Sequence, residues 1–226
     1  MRNITFIDLY GLGKDYAPRP ATEYLPDWYK RTPEYTNKRR EIVDGSTPHT
    51  IKKCIPVFDA MTAGYIIATP VDVQVTRREG SPYFEWPMLD AISFHPIAQA
   101  LLHPEYNGYP YPKWSNPWGI QTPPGYSCMF LPPLHNPNGI FTAFPGIVDT
   151  DTYTAAVNFP FVLDDPEWTG LIPKGTPIVQ VIPFRRDDWE SQYSADAQSS
   201  MRVVSKLLTL FFNSYKRQFW TRKQYR

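Results

Sequence analysis

Prolines spread along the whole sequence constrain its fold more than any other feature. There are 25 of them in 226 residues, about 11% against a usual share of about 5%. Because proline inside a helix or a central strand removes a backbone hydrogen bond, such a chain cannot be mostly helical. Hydrophobic residues make up 42% and aromatic residues 15% of the chain, which is enough apolar material for a core. We therefore predict a mainly β globular protein.

The sequence has neither an apolar run of the roughly 20 residues that a membrane span needs nor an apolar stretch of the signal-peptide type at its start. Its cysteines are Cys54 and Cys128, each inside an apolar stretch. This favours reduced, buried thiols over a disulfide framework, and one bridge between the two is the alternative. We expect a cytoplasmic protein without a membrane partner, or a virion-associated one if it is a phage structural component.

Composition divides the chain into three predicted parts. Residues 1–50 combine prolines, tyrosines and charges, which predicts an extended arm with one helical turn at 25–31. Residues 51–190 are predicted to form the β-rich core domain. Residues 191–226 hold seven Lys/Arg against Asp196 alone, so their formal charge is +6 and that of residues 1–190 is −5.

Short strands are predicted throughout the core domain. Val71, Val73 and Val75 alternate with polar residues, which is the period of a half-buried strand. The predicted strands are 54–58, 65–75, 83–86, 126–131, 139–144, 153–162 and 177–184. A series of this kind favours a compact β-sandwich or barrel. Residues 103–117, rich in Pro, Asn and aromatic residues, are predicted to form an ordered loop.

The apolar period changes near the C terminus. Apolar residues recur every three or four positions from Val204 to Phe219, which predicts an amphipathic helix over residues 195–220. Its basic end suits the negative end of the helix dipole and an acidic partner, including nucleic acid. For the apolar stripe, the alternative is docking on the chain's own domain or on a neighbouring subunit.

Two carboxylates are the strongest candidates for chemistry. Asp149 and Asp151 follow the apolar pair 147–148, and we predict that they lie at the tip of a polar hairpin. Carboxylates there either cap the turn, which is the commoner role, or serve as a base or metal ligand. No metal site is predicted, since metal-type spacing is missing among the four histidines, His49, His95, His103 and His135.

Four motifs of the central region have a recognisable pattern. They are TPPGY at 122–126, GIVDTD at 146–151, NFPF at 158–161 and KGTPIVQVIP at 174–183. This pattern resembles an uncharacterised family of bacterial and phage proteins, a domain of unknown function. The resemblance covers the central half to two-thirds of the chain and implies a fold without an activity.

Residues 146–151 and 175–181, from the second and fourth motifs, also resemble, more distantly, elements of the trimeric dUTPase and dCTP deaminase fold. That resemblance implies a β-clip type of sandwich or barrel, with Asp149 as the general base, Asp151 as its support and Tyr153 facing a sugar. The other candidate ligand-binding residues are Gln180, Tyr126, Arg185 and Arg186. The sequence departs from the family's pattern by one extra residue, Thr152, and by the missing Arg-Ser-Ser motif and glycine-rich C-terminal arm.

These observations leave two functions open. The first is a non-catalytic structural or binding protein, of phage origin under the family resemblance, that assembles as a homo-oligomer through its arm and C-terminal helix. It needs no cofactor. The second is a hydrolase or sensor of nucleoside triphosphates that uses the Asp149 and Asp151 hairpin, with Mg²⁺ to manage the phosphates.

Overall fold

The computed structural model describes residues 2–36, 49–87, 90–99, 110–153, 155–194, 201, 203–204 and 214–226. Contacts divide the chain into two compact units. The first comprises Met1–Tyr24, Met61–Arg186 and Tyr225–Arg226, and the second comprises Leu25–Ala60 and Asp187–Gln224. No helix among the described residues combines the length and the apolar character that a bilayer crossing requires.

Short strands dominate the first unit, so the mainly β prediction is confirmed. They are β1 (Thr5–Asp8), β2 (Arg19–Pro20), β3 (Tyr65–Ala68), β4 (Val73–Arg78), β5 (Ser81–Glu85), β6 (Ile92–Phe94), β7 (Pro112–Trp114), β8 (Trp118–Gln121), β9 (Tyr126–Leu131), β10 (Phe141–Ala143), β11 (Gly146–Val148), β12 (Phe159–Leu163), β13 (Gly170–Ile172) and β14 (Pro177–Arg185).

The strands pair antiparallel in four sheets. The largest has the order β11-β9-β14-β3-β2, and the others are β10-β12-β7-β6, β13-β4-β5 and β1-β8. Antiparallel strands need no long crossover helix between them, which suits a chain interrupted so often by proline. Pro20 itself lies on β2, at an edge of the largest sheet, where a strand tolerates the missing N–H.

Aromatic and β-branched side chains fill the core of the first unit. The ring of Phe161 lies 5.1 Å from that of Trp114 and 5.3 Å from that of Phe141, measured between centroids. On β4, Val73 and Val75 are fully buried whereas Gln74 between them is exposed. The predicted alternation of this strand is therefore confirmed.

The predicted strand positions are confirmed unevenly. β9 and β14 lie where they were predicted, but the predicted strand 65–75 is interrupted between β3 and β4. The strand predicted at 54–58 is wrong, because this segment begins helix α2 (Ile55–Thr62). Pro56 lies in the first turn of that helix, where a missing N–H costs no hydrogen bond.

The N-terminal segment contains more regular structure than the predicted extended arm. β1 pairs with β8, with Thr5 opposite Gln121, and β2 pairs with β3. The predicted helical turn is confirmed as α1 (Asp27–Arg31), directly after Pro26. Short 3-10 helices occupy Lys14–Tyr16, Ala21–Tyr24, Ile51–Lys53 and Ile97–Gln99.

The described part of the second unit is held by aromatic and charged contacts. Tyr29 of α1 stacks on Phe58 of α2 with a centroid distance of 6.2 Å. The Lys52 ammonium lies 4.4 Å from the centre of the Tyr29 ring. Asp59 accepts hydrogen bonds from the Trp220 indole at 2.9 Å and from Lys223 at 2.6 Å, so one basic residue of the tail already has an acidic partner within the unit.

The predicted C-terminal helix lies partly outside the described residues. Residues 195–200, 202 and 205–213 are not described, whereas 201, 203 and 204 are helical. The described end is α3 (Ser214–Gln218), two residues shorter than predicted. Of the predicted loop 103–117, residues 103–109 also lie outside the description, and 112–114 form β7 instead of a loop.

Candidate functional site

The turn after β11 is where most of the predicted site residues meet. β11 ends at Val148, opposite Cys128 on β9. On the other side of β9, β14 ends at Arg185, opposite Tyr126. The turn, residues 149–152, therefore lies beside the start of β9 and the end of β14. We call Asp149, Asp151, Ser127 and Arg186 the acidic-turn cluster.

The predicted turn exists, but it does not close a hairpin with the following strand. β11 pairs with β9, whereas β12 pairs with β10 and β7. The backbone N–H groups of Thr152 and Tyr153 donate to the Asp149 carbonyl at 3.1 and 2.9 Å, which closes the turn. Gly125, directly before β9, has a φ of +82°, a backbone conformation that favours glycine. This turn reverses the chain so that β9 begins at Tyr126.

Asp151 is the more tightly held of the two carboxylates. Arg186 forms a two-point ion pair with it, through Nη1 to Oδ1 at 2.8 Å and through Nη2 to Oδ2, and the Gly125 N–H donates to Oδ2 at 2.8 Å. The Asp151 side chain is only 5% exposed. The hydrogen bond from Arg186 lowers the pKa of Asp151 to about 2, and the same bond raises the pKa of Arg186.

Asp149 is more accessible, with a side chain that is 60% exposed. Its Oδ1 accepts a hydrogen bond from the Ser127 hydroxyl at 2.7 Å and lies 3.2 Å from Nη1 of Arg186. Arg186 also donates to Ser127 Oγ at 3.0 Å. The arginine thus links both carboxylates, and only the Asp149 carboxylate remains largely open to solvent.

Buried hydrogen bonds among Thr122, Thr150 and Cys128 connect the turn to the neighbouring strand β9. The hydroxyls of Thr122 and Thr150 lie 2.8 Å apart, and Thr150 donates to Cys128 Sγ at 3.3 Å. Both cysteines are free, as predicted. Burial raises the pKa of the Cys128 thiol to about 11, so this thiol is a packing group and not a nucleophile.

The remaining candidates near the turn are more loosely placed. Tyr126 is half-buried, and the Arg2 guanidinium lies 5.2 Å from the centre of its ring. Its carbonyl accepts a hydrogen bond from Arg186 at 3.4 Å. Tyr153 directly follows the turn and is exposed, and Arg185 is exposed at the end of β14.

Gln180 lies apart from the acidic-turn cluster. It pairs with Leu131, four residues along β9 from Ser127, which is about 13 Å at the usual rise of a strand. Its side chain is 1% exposed. Oε1 accepts the Leu134 N–H at 2.9 Å, and Nε2 donates to the Ala63 carbonyl at 2.6 Å. Gln180 therefore cross-links two loops inside the fold, a role that the motif alone did not indicate.

A pocket of about 510 Å³ lies elsewhere in the first unit, and no sequence motif indicated it. We call it the aromatic pocket; its lining residues include Tyr10, Trp86, Asp90, Ser115 and Pro117. These residues come from separate segments, so no local motif marks the site. As for metals, no group of three or more His, Cys, Asp or Glu side chains suited to an ion is found within the described ranges.

Comparison with known proteins gives structural similarity only. No family model matches the chain, and no curated protein matches it. One similar solved structure is a mutant dUTPase from phage phi11 of S. aureus, covering 86% of this chain and 97% of that chain. Another is a mutant dUTPase of Staphylococcus bacteriophage 80alpha with dUpNHpp, covering 87% and 90%.

Both structures are 10% identical to this chain, with a TM-score of 0.35. They are dUTPases, the family that the GIVDTD segment at 146–151 and the GTPIVQV segment at 175–181 resemble. A TM-score this low carries no argument about the site, whose chemistry rests on the contacts of this chain. The resemblance to the domain of unknown function stays a prediction.

Proposed function

We propose that the protein is a non-catalytic assembly protein that forms homo-oligomers through residues 187–194, here called the aromatic segment. The observation that carries this proposal is the exposure of two large aromatic side chains, Trp189 at 90% and Tyr193 at 93%. Solvent-exposed tryptophan and tyrosine side chains four residues apart are typical of a protein–protein interface whose partner is not bound.

The character of the aromatic segment favours a second copy as that partner. The segment follows β14 without regular secondary structure and carries Asp187, Asp188 and Glu190 beside its aromatic residues. The tail of the same chain is basic, with a formal charge of +6 over residues 191–226. Acidic and basic segments on one chain are complementary between copies of it.

Nucleic acid as a partner of the tail stays a prediction, as does a cytoplasmic or virion-associated location.

Within the acidic-turn cluster, the contacts of Asp151 favour a structural role for that carboxylate. A general base must accept a proton from water or a substrate, which requires a free carboxylate. Both carboxylate oxygens of Asp151 already accept hydrogen bonds, from Arg186 and from the Gly125 N–H. Its ion pair instead ties the turn after β11 to the end of β14.

The test is the mass of the protein in solution, measured by sedimentation equilibrium from low to high micromolar concentration. We expect an oligomer, and we expect Trp189→Ser with Tyr193→Ser to weaken its association at least tenfold, since buried Trp and Tyr anchors each contribute about 2 kcal/mol or more. The matched control is Tyr153→Ser, which removes another exposed aromatic residue outside the segment. A wild-type monomer at high micromolar concentration, or a double variant with unchanged association, would overturn the proposal.

Asp149 supports a second candidate, the binding or hydrolysis of a nucleoside triphosphate. Its carboxylate is accessible, is held by Ser127 and lies beside a guanidinium, which are the elements of an oriented base next to an anion-binding group. Mg²⁺ would be brought by the phosphates of the nucleotide.

A thermal-shift screen against ribo- and deoxynucleoside triphosphates, with and without Mg²⁺, tests this candidate. A bound nucleotide at about 100 times its Kd should add about 2.7 kcal/mol to the free energy of unfolding. Asp149→Asn should abolish the shift, and Asp15→Asn, which removes another exposed carboxylate, should leave it unchanged. No shift with any nucleotide would remove the candidate and leave the assembly proposal standing.

A further inference from the structure

The aromatic pocket is the feature of the first unit that neither proposed function uses. We infer that it binds an organic cation, an alkyl ammonium or guanidinium group of the size of a lysine or arginine side chain. The pocket occupies about 510 Å³, within the range of about 300–1,000 Å³ that is usual for small-molecule sites.

The lining of the pocket selects for positive charge. Asp90 is the one charged side chain among its described lining residues, and Tyr10 and Trp86 supply aromatic rings. The rest of that lining is proline, alanine and serine. A cation gains from both a carboxylate and aromatic rings, whereas a phosphate or carboxylate ligand would be repelled by Asp90. The pocket therefore favours a cation over a metal-free triphosphate.

Backbone hydrogen bonds hold the segments that carry the lining. The Leu9 N–H donates to the Pro117 carbonyl at 3.0 Å, and the Ser115 N–H donates to the Ala91 carbonyl at 2.9 Å. Pro117, Ser115 and Ala91 all line the pocket. These segments are therefore hydrogen-bonded to each other in the free protein. Ligand binding then costs less conformational entropy of the protein than it would in a flexible pocket.

Asp8 fixes the loop that carries Tyr10. Its carboxylate accepts hydrogen bonds from the N–H groups of Tyr10 at 3.2 Å, Leu12 at 3.1 Å and Gly13 at 2.8 Å. These amides, that of Gly13 above all, lower the pKa of Asp8 because they stabilise its ionised carboxylate. The loop thus holds the segment of Tyr10 in place at the pocket.

The experiment is a titration of the whole chain, labelled with ¹⁵N, followed through the indole N–H signal of Trp86. That signal is assigned by its loss in Trp86→Phe. The probes are N-acetyl-argininamide, N-acetyl-lysinamide and the neutral isostere N-acetyl-citrullinamide. We expect saturable shifts with the two cations and none with the citrulline compound.

Variants decide whether the pocket itself is responsible. Asp90→Asn and Tyr10→Ala should each weaken binding of N-acetyl-argininamide about three- to fivefold, the size expected for an exposed ion pair or cation–π contact. Asp15→Asn is the matched control, because this exposed carboxylate does not line the pocket, and it should bind like the wild type. Equal responses to the arginine and citrulline probes, or binding that both pocket variants leave unchanged, would overturn the inference.

Discussion

The middle of β14 and the position directly after its end carry polar side chains of opposite character. Near the middle, Gln180 is neutral and buried, and it cross-links Leu134 to Ala63. Directly after its end, Arg186 is charged and lies at the surface with Asp149 and Asp151. The first arrangement contributes to folding at any pH, whereas the second depends on the ionisation of a carboxylate. The same strand thus separates a purely structural polar site from one whose strength can change.

The largest effect is expected at Gln180, in the buried middle of β14. Gln180→Met keeps the length of the side chain but leaves the Leu134 N–H and the Ala63 carbonyl without this partner. Each buried polar group left unsatisfied costs about 1–3 kcal/mol, so we expect the free energy of unfolding in urea to fall by about 2–4 kcal/mol. The matched control is Gln74→Met, an exposed glutamine on β4, expected to cost about 0.5 kcal/mol or less. Equal costs would contradict the assignment of Gln180 as a cross-link.

A smaller effect is expected at the charged end. Arg186→Gln removes both contacts to Asp151 and the contact to Asp149, so the melting temperature at pH 7 should fall, but by less than in Gln180→Met. Arg185→Gln is the neighbouring control and should have the weaker effect. In a double-mutant cycle, Asp151→Asn should cost less in the Arg186→Gln background than in the wild type. Additive losses would show that the pair contributes no stability.

The ion pair also predicts a dependence on pH. The pKa of Asp151 is about 2 in the folded protein, below its ordinary value of 3.8. The unfolded chain therefore binds the proton first on acidification, and the stability that ionised Asp151 contributes is complete above about pH 4 and is lost as the pH falls toward 2. Urea unfolding between these pH values should show a steeper decline for the wild type than for Asp151→Asn. Parallel declines would contradict the lowered pKa.

The smallest effect is expected for Asp149→Asn. The Asp149 side chain is mostly exposed. The melting temperature of the variant should therefore differ from that of the wild type by less than about 2 °C. Asp151→Asn, measured beside it, should have the larger effect because that side chain is nearly buried. A reversal of this order would mean that Asp149, and not Asp151, holds the turn.

Local sequence patterns predicted those parts of the fold that local chemistry decides. The period of Val73 and Val75 was sufficient to identify the buried face of β4, although not its bounds, and the turn at Gly125 was sufficient to place the start of β9. β1 and β2 were missed because their partners, β8 and β3, lie far along the chain and the strands are too short for a period. The segment around Pro56 was predicted as a strand but forms helix α2. The proline did not distinguish the two, because it is as acceptable in a first helical turn as at a strand end.

The candidate site was predictable to the same extent. The spacing of Asp149 and Asp151 marked the turn, whereas Arg186 was named only as a candidate ligand-binding residue, and its ion pair with Asp151 is a finding of the structure. Gln180 was grouped with them because of a motif resemblance, and only the register of β14 against β9 separates it from the turn. The aromatic pocket could not be predicted at all, since only the tertiary fold brings Tyr10 and Ser115 to the segment that carries Trp86 and Asp90.

The position of β14 also bears on how the protein is made. Among the described residues β14 is the last strand in chain order, yet it lies between β9 and β3 at the centre of the largest sheet. At the ribosome's rate of about 5–20 residues per second, β14 is completed roughly 3–10 s after the end of β9. During that interval the nascent chain exposes two apolar strand edges with no partner, and we expect it to require a chaperone or rapid synthesis to avoid aggregation.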